Sequence, residues 1–430
     1  MVDPQTSIAG FTLDQLLILP ITAVAFIALL TIIVFFHEYG HFSIARLLGV
    51  RVDVFSIGFG KPLARWTDKK GTEWRIARWP LGGYVKFFGD AGPASDASEE
   101  VQEEKADRSA QVGTTQFPRP GEEAEVGRGM TPEEKAVCFH FKPLWRRAAI
   151  VAAGPFANFL LAAVIFWGLL VFLGRNYVDA TVGEVLPDSA AAEAGFQPGD
   201  RITAIGGKSI KEFNDVRYVV MLSSGDELTF EVERDGQQIQ LKATPRRADS
   251  EDAFGNKTRV GLLGIRPDAS GYQFERLGPG AAVLPAMGQV WDILSTTVKF
   301  ISRLVVGKED TTQLGGPIKM AKYAGQSALS GFDESSYAEP PGFLTKLKVS
   351  LANFINLAAV VSVSIGFLNL LPVPVLDGGH LMYYGYEVVA GKPLGAKAQS
   401  VGFKLGLVML ASLMIFVTWN DINSLFSINS

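Results

Sequence analysis

Two histidines four residues apart stand at the end of the first long apolar run of this sequence. They are His37 and His41 in the stretch HEYGH, and Glu38 directly follows the first of them. On a helix, side chains at positions i and i+4 project from one face, so both imidazoles can bind the same metal ion. The glutamate beside the first histidine is placed to act as general base on water at that metal. The spacing therefore predicts a hydrolytic zinc site with His37 and His41 as ligands and Glu38 as the base.

A hydrolytic zinc site needs a third protein ligand as well as an open position for water. Cys138 is the only cysteine, which excludes an intrachain disulfide and a cysteine-rich zinc site, so the third ligand must be a histidine or a carboxylate. Asp377 is the first carboxylate after the third long apolar run, which should return it to the membrane depth of the histidine pair. Asp377 is therefore the expected third ligand of one zinc ion per chain. His380 is a competing ligand, and an Asp-Gly turn that ends a helix would also explain Asp377.

The elements that must position these residues are apolar. The chain has 430 residues, of which 48% are hydrophobic, and its mean hydropathy is +0.20. Four apolar runs, at residues 16–36, 148–173, 351–376 and 405–419, predict four transmembrane helices. These runs make the lipid bilayer an expected partner. The net charge of −4 provides no basic surface to bind nucleic acid, so no nucleic-acid partner is expected.

Positively charged residues orient these helices. Residues 1–45 and 405–430 contain no lysine or arginine, whereas residues 46–147 contain 17 of them. Because cytoplasmic loops carry the excess of lysine and arginine, both termini are expected outside and residues 46–147 in the cytoplasm. The metal site then lies near the cytoplasmic side of the membrane.

The segments between the apolar runs differ in composition. Residues 71–90 contain two short β-type runs around Pro80, which predict a hairpin. Residues 91–131 are rich in Glu, Gly, Pro and Ser and should form a flexible acidic loop. Short β-type runs around a small-residue helix at 190–194 predict a compact α+β module beyond the second span. Residues 281–306 have apolar side chains at helical spacing between charges, which predicts an amphipathic helix near the membrane surface.

Several residues near the apolar runs could handle an extended substrate. Pro372 and Pro374 keep the end of the third run from being a regular helix and free backbone groups at membrane depth. Such groups can pair with a substrate backbone once the substrate helix has unwound locally, and the hairpin at 71–90 is a second candidate for this pairing. An ordinary amphipathic hairpin is equally compatible. Asn158 could polarise the scissile carbonyl or only bond a neighbouring helix, and Gly154 fits small-residue packing.

These motifs together resemble the site-2 proteases, which are intramembrane zinc metalloproteases. The resemblance is carried by one motif in each of the first three spans: His37-Glu38-x-x-His41, Gly154-Pro155-x-x-Asn158, and Asn369-x-x-Pro372-x-Pro374-x-x-Asp377-Gly378. The four-span plan with an outer module is similar to the bacterial regulator-of-sigma-E protease branch. The stretches SIGFGKPL and GGPIKMAKYAG are also typical of that branch. Residues 182–210, with the turn AGFQPGD, resemble a PDZ domain.

The resemblance implies a function as well as a fold. Glu38 would be the catalytic base, and the zinc ligands would be His37, His41 and Asp377. Handling of the substrate would involve Asn158, Asn369, Pro372 and Pro374. The implied activity is cleavage of single-span membrane proteins, such as trimmed anti-sigma factors or remnant signal peptides, in the bacterial inner membrane. The PDZ domain would bind peptide or protein C-termini on the periplasmic side, where both chain termini also lie.

The expected fold is an α-helical polytopic membrane protein with four transmembrane helices, an inserted α+β PDZ domain and a membrane-associated β-hairpin. In chain order, the expected regions are the first transmembrane helix with its histidine motif (1–50), a cytoplasmic membrane-associated β segment (51–90), an acidic flexible loop with a basic amphipathic segment (91–147), the second transmembrane helix (148–174), the periplasmic PDZ domain (177–247), a linker with amphipathic helices (248–350), the third transmembrane segment (351–380) and the fourth transmembrane helix (403–420).

A function of another class is also compatible with these features. A PDZ-bearing membrane scaffold could carry a structural or inactive metal site, although a structural zinc prefers four protein ligands and needs no adjacent glutamate. A transporter has no support, because the sequence contains no inverted repeat. Relative to the better-known enterobacterial member, only one PDZ module can be placed, because residues 248–280 are too short for another. Ser364 also stands where that member has an asparagine.

Overall fold

The computed structural model describes residues 7–8, 11–89, 130–251, 257–309, 311, 314–333, 337 and 341–427. Its helices are α1 (Leu13–Leu47), α2 (Pro132–Val137), α3 (Leu144–Phe172), α4 (Ala190–Glu193), α5 (Phe213–Met221), α6 (Val283–Val305), α7 (Pro317–Leu329), α8 (Phe343–Leu370), α9 (Asp377–Ala390) and α10 (Ala396–Ser427). The acidic loop expected at 91–131 falls almost entirely outside the described residues.

The strands in the described part of the chain are β1 (Ser7–Ile8), β2 (Phe11–Thr12), β3 (Val52–Thr67), β4 (Glu73–Phe87), β5 (Arg175–Val178), β6 (Val182–Val185), β7 (Arg201–Ile205), β8 (Lys208–Ser209), β9 (Leu228–Arg234), β10 (Gln237–Ala243), β11 (Arg246–Glu251), β12 (Lys257–Leu262), β13 (Ile265–Pro267) and β14 (Tyr272–Glu275). The chain divides into two compact units. One comprises residues 1–163 and 315–423, and the other residues 164–314 and 424–430.

Four helices of the described chain are long and apolar enough to cross a membrane, as the four apolar runs predict. The candidate spans are Ile18–Leu47, Leu144–Phe172, Phe343–Leu370 and Lys397–Ser424. The third and fourth helices begin earlier than the apolar runs, at turns that contain lysines. Hydropathy marks only the part of a helix that suits the hydrocarbon, whereas helical hydrogen bonding continues through polar ends, where lysines can extend toward water.

A short non-helical segment at residues 371–376 separates α8 from α9, as Pro372 and Pro374 predict. The expected third transmembrane segment, 351–380, is therefore two elements, and Asp377 is the first residue of the second one. Gly378 and Gly379 allow the sharp return, because a Cβ there would lie 2.2 Å from the Leu371 carbonyl oxygen and 2.3 Å from that of Val373, respectively. Only residues without a Cβ fit this turn.

Strands β3 and β4 of the first unit lie within the β segment expected at 51–90, and they form more than the hairpin expected at 71–90. Residues 52–57 lie between two segments of β4, with 83–87 on one side and 73–76 on the other. Glycines make the turns of this folded sheet, and Gly58 and Gly82 have φ angles of 87° and 124°. Sequence alternation did not indicate the added strand, because glycine and proline interrupt β3.

This sheet packs along the first helix. Thr31 of α1 donates a hydrogen bond from its hydroxyl to the Pro80 carbonyl oxygen at 2.9 Å. Near the end of the helix, the ring centroids of Phe42 and Phe55 lie 5.2 Å apart, and that of Trp74 lies 4.5 Å from Phe55. Aromatic pairs at these separations add to the stabilisation from buried area. The sheet is thereby held beside the part of α1 that carries the histidine motif.

The second unit contains one α+β module. Its central sheet has the strand order β10-β9-β7-β8, and a single buried core includes Ile202, Phe230 and Val232. The sequence suggested that the module ends near residue 247. The structure continues it further, because β13 pairs with β6 and β14 pairs with β5. These two strands return to the start of the module, and such long-range pairing has no local signature in the sequence. The position of α6 at the membrane surface stays a prediction.

A buried carboxylate joins the fourth span to the start of α7. Asp421 accepts hydrogen bonds from the backbone N–H groups of Gly316, Ile318 and Lys319 at 2.9, 3.0 and 3.0 Å, respectively. These are N–H groups that a helix cannot satisfy internally, and negative charge at a helix N-terminus is favourable. The GGPIKMAKYAG stretch therefore docks through its backbone.

Removing this carboxylate should destabilise the first unit. We expect Asp421→Ala to lower the free energy of unfolding by about 1–3 kcal/mol, because it leaves buried donors without an acceptor. Thermal unfolding of the detergent-solubilised chain measures this loss. Ser412→Ala, at an exposed position on the same helix, is the control and should unfold with the wild type. Equal unfolding of both variants would contradict the docking role.

Candidate functional site

Three potential metal ligands converge in the first unit. One ligand atom each from His37, His41 and Asp377 lies within 4.8 Å of the others, and all three residues are buried. The Nε2 atoms of the two imidazoles are 3.3 Å apart, and they lie 3.2 Å and 3.5 Å from Oδ2 of Asp377. The structure thus brings together the three residues that were expected to bind the metal. His380, the competing ligand, is not part of this group.

Local structure positions each of the three side chains. His37 and His41 are one helical turn apart on α1, so their rings project from the same face. Asp377 is the first residue of α9, where the unpaired N–H groups and the helix dipole favour a carboxylate. The non-helical residues 371–376 bring this helix start back toward α1.

The second span holds the outer nitrogen atoms of both imidazoles. Nδ1 of His41 lies 2.8 Å from the Ile150 carbonyl oxygen, which can only accept, so this nitrogen donates. In the neutral imidazole, Nε2 of His41 then carries the lone pair, and it lies 3.5 Å from Oδ2 of Asp377. Nδ1 of His37 lies 3.3 Å from Nδ2 of Asn158, whose side chain is completely buried. The Asn158 amide thus contacts a ring of the cluster on the neighbouring helix α1.

Two glycines allow the helices to approach this closely. A Cβ on Gly154 of α3 would lie 2.2 Å from Nε2 of His41 and 2.9 Å from Cε1 of His37. A Cβ on Gly40 of α1 would lie 2.4 Å from the Ala153 carbonyl oxygen. Both distances are too short for any side chain, so the two helices meet backbone to backbone beneath the imidazoles. The sequence analysis predicted close helix packing at Gly154. It did not predict that Gly154 lies against the rings of the two histidines.

Glu38 lies at the edge of the β3–β4 sheet. Its side chain is 2% exposed, and its Cγ is 3.3 Å from the position that a Cβ on Gly83 would take. Residues 83–87 pair with 52–57 on one side only, among the strands that the structure describes. Residues 83–86, with a strand partner on one side only, therefore run next to the glutamate, and a sheet edge of this kind can add an extended peptide.

The remaining candidate residues lie around the non-helical segment. Asn369 is half-buried in the last turn of α8, and Pro372 is exposed. Pro374 packs against α10, where its ring would lie 3.3 Å from a Cβ on Gly406. These residues flank the backbone that leads to Asp377, and their contact with a substrate stays a prediction.

The two other histidines are accounted for separately. His380 lies on α9 with its ring centroid 6.3 Å from that of Tyr383. His140 is buried in the short turn Phe139–Phe141, and its Nδ1 is 4.0 Å from Sγ of Cys138. Burial, with a smaller contribution from the positive charge of Arg147, lowers the pKa of His140 to about 4. This histidine is therefore a neutral core residue at physiological pH.

Two parts of the site could not be identified from the sequence. The Ile150 carbonyl is a backbone group with no residue-type signal. Gly83 stands in a glycine pair that suggested only a turn. The available signal was the concentration of glycines in the three motif regions, since glycine in a helix or strand often marks close backbone approach.

Comparison with known proteins gives consistent results over nearly the whole chain. The family model described as peptidase family M50 matches residues 25–413. An inferred zinc metalloprotease of Agrobacterium fabrum is 42% identical over 94% of this chain and 96% of its own length. An inferred zinc metalloprotease of Rhizobium meliloti is 42% identical over 94% of this chain and 97% of its own length. Metalloprotease MmpA of Caulobacter vibrioides is 40% identical over 94% and 96%.

One solved structure shares a weak likeness with part of the chain. It is the PDZ domain of an SdrC-like protein from Listeria monocytogenes, which is 22% identical and covers 21% of this chain and 88% of its own. The TM-score is 0.17, and at that value the likeness does not establish the fold of the outer module.

Proposed function

This chain belongs to peptidase family M50, and from that premise we propose that it is an intramembrane zinc endopeptidase that cleaves single-span membrane proteins. The observation that carries the proposal is the buried group of His37, His41 and Asp377, formed between apolar helices with Glu38 beside it. Ionisable side chains at membrane depth are costly unless they bind a metal, pair or serve a function.

The donor atoms of this group fit a zinc ion. Nδ1 of His41 donates outward, so in the neutral imidazole its Nε2 lone pair faces Nε2 of His37 and a carboxylate oxygen of Asp377. Within the described residues, Oδ2 of Asp377 is buried and has no hydrogen-bond donor. A cation relieves the repulsion among these three atoms, and two histidines with one carboxylate are a usual ligand set of catalytic zinc. We propose one zinc ion per chain.

The chemistry requires a base and a held substrate. A zinc ion held by His37, His41 and Asp377 would lower the pKa of water and polarise a substrate carbonyl oxygen. Glu38 accepts the proton from the attacking water and then passes it to the leaving amine. Its burial beside the ligands keeps the carboxylate within reach of the reacting atoms, because it cannot turn toward bulk water.

The substrate is proposed to bind as an extended strand. A helix hides its peptide bonds, so the cleaved segment must unwind and needs new hydrogen-bond partners in the membrane. The sheet edge at residues 83–86 and the non-helical residues 371–376 both offer backbone groups near the site. Asn369, Pro372 and Pro374 would hold the chain there. Trimmed anti-sigma factors and remnant signal peptides are the substrate classes that fit.

The topology is proposed from the distribution of charge. Lysine and arginine are concentrated in residues 46–147 and absent from 405–430, which supports a multi-pass protein of the bacterial inner membrane with both termini in the periplasm. The outer α+β module would be a periplasmic PDZ domain that binds peptide or protein C-termini. The active site would lie near the cytoplasmic side.

The proposed metal centre is tested by measuring zinc and cleavage on the same samples. We expect His41→Ala and Asp377→Ala to lose both bound zinc and cleavage of a co-expressed single-span substrate, because each removes one of three ligands. His380→Ala is the matched control and should keep its zinc. Zinc retained without any cleavage in the wild type would favour the scaffold alternative, and zinc loss only in His380→Ala would overturn the ligand set.

A further inference from the structure

The two imidazoles of the proposed metal centre have different partners at Nδ1. His41 has a backbone carbonyl oxygen, that of Ile150, at 2.8 Å. His37 has the side-chain amide of Asn158, with Nδ2 at 3.3 Å. A carbonyl oxygen can only accept a hydrogen bond, whereas an amide has one end that accepts and another that donates. The state of His37 therefore depends on which end of the amide faces it.

Metal binding by His37 requires a lone pair on Nε2, and this requirement decides which end of the Asn158 amide faces the ring. A neutral imidazole carries its proton on one nitrogen only, so a histidine that binds metal through Nε2 has N–H at Nδ1. That N–H needs an acceptor, and the NH₂ group of Asn158 cannot provide one. With Nδ2 toward the ring, Oδ1 of Asn158 is buried without a hydrogen-bond partner. Turning the amide by half a rotation about its last bond places Oδ1 at the same point, where it accepts the Nδ1–H of His37, and the NH₂ group takes the former place of the oxygen.

We propose that Asn158 is a positioning residue that accepts the Nδ1–H of His37 through Oδ1 and so holds Nε2 toward the zinc. This inference rests on the proposed metal centre. Second partners of this kind fix the tautomer and ring orientation of metal-binding histidines. His37 and His41 then receive equivalent support from α3, one from a side chain and the other from the backbone.

The surroundings hold Asn158 in place for this role. Ser362 of α8 donates its hydroxyl to the Asn158 backbone oxygen at 2.9 Å. A Cβ on Gly366 of α8 would lie only 3.2 Å from the Asn158 Cβ, so the two helices are in close contact there. The side chain is fully buried and has little room to change rotamer. An amide fixed in this way can orient a ring rather than only pair with whatever is nearby.

Replacement by aspartate separates this role from polarisation of the scissile carbonyl. A carboxylate accepts the Nδ1–H of His37 as well as an amide oxygen does, but it cannot donate a hydrogen bond to a substrate carbonyl. Leucine has similar volume and does neither. The two variants therefore give different patterns for an orienting role, a substrate role and simple packing.

The experiment measures the zinc affinity of the purified full chain by chelator competition, alongside cleavage of a single-span substrate. We expect Asn158→Leu to weaken zinc binding by about 10- to 100-fold, with Asn158→Asp restoring an affinity near that of the wild type. Asn353→Leu makes the same chemical change at an exposed amide of α8 and should leave zinc affinity and cleavage unchanged. Cobalt(II) absorption spectra give a second readout, and the spectrum of Asn158→Leu should change while that of Asn158→Asp resembles the wild type.

Other patterns would overturn the inference. Wild-type zinc affinity in both variants with cleavage lost in both would assign Asn158 to the substrate carbonyl. Tight zinc in Asn158→Leu with weak zinc in Asn158→Asp would assign it to packing. If Asn158→Asp does not fold, an unchanged zinc affinity and cobalt spectrum in Asn158→Leu would still reject the proposal. A wild type without zinc or cleavage would instead reject the proposed function itself.

Discussion

Glu38→Gln should abolish cleavage while the protein keeps its zinc. Glutamine has the shape of glutamate and cannot take a proton from water, so only the base is removed. General-base catalysis contributes about 10²- to 10⁴-fold to a rate, and we expect a loss of that size or greater. The ligand atoms come from other side chains, so the group of His37, His41 and Asp377 keeps its composition.

The measurement is single-turnover cleavage of a purified single-span substrate, with zinc content determined on the same preparation. Glu73→Gln, at a carboxylate of the β3–β4 sheet that pairs with Arg75, is the matched control and should cleave at the wild-type rate. Cleavage by Glu38→Gln at the wild-type rate would reject Glu38 as the base. Loss of zinc together with activity would instead assign Glu38 to the ligand set.

Gly154→Ala should remove zinc binding and activity together. The added methyl group would lie 2.2 Å from Nε2 of His41 and 2.5 Å from its Cε1, where no real Cβ contact occurs. The imidazole must move, because α3 is also packed against α8, where a Cβ on Gly366 would lie 3.0 Å from the Pro155 carbonyl oxygen. Dense interiors do not absorb a methyl group without displacing a neighbour. The displaced atom here is a proposed ligand.

A control on the same helix isolates this effect. Gly168→Ala adds the same methyl group at a position with nothing within 4 Å, so it should keep zinc and cleavage. Both changes raise helix propensity equally. If Gly154→Ala were to lose folding stability but retain zinc, Gly154 would serve helix packing alone. Zinc content and thermal unfolding of the two variants separate these outcomes.

Local spacing was sufficient for part of the site and for the spans. His37 and His41 are one turn apart on one helix, so their shared face follows from helical geometry, and Glu38 directly follows the first of them. The apolar runs identified four helices, because a span must be apolar over its whole length. Asp377 was identified less directly, through the argument that the third run returns to the depth of the first.

The β segment and the outer module could be predicted only in part. The hairpin at 71–90 was expected, but the pairing of 52–57 between two parts of β4 was not. The boundary at residue 247 was wrong, since β13 and β14 return to pair with β6 and β5. Strand pairing depends on partners far apart in the chain, and a period of two does not identify them.

The sequence by itself determined which side chains can bind zinc and which helices can cross a membrane, because residue type and helical period are local properties. Tertiary structure decided how these parts meet: the approach of Asp377 to the histidine pair, the fit of Gly154 beneath the two rings, and the contacts of Nδ1 with Ile150 and Asn158. Each of these is a contact between helices that are distant in the chain. Their distances follow from close packing of whole elements, which no single segment encodes.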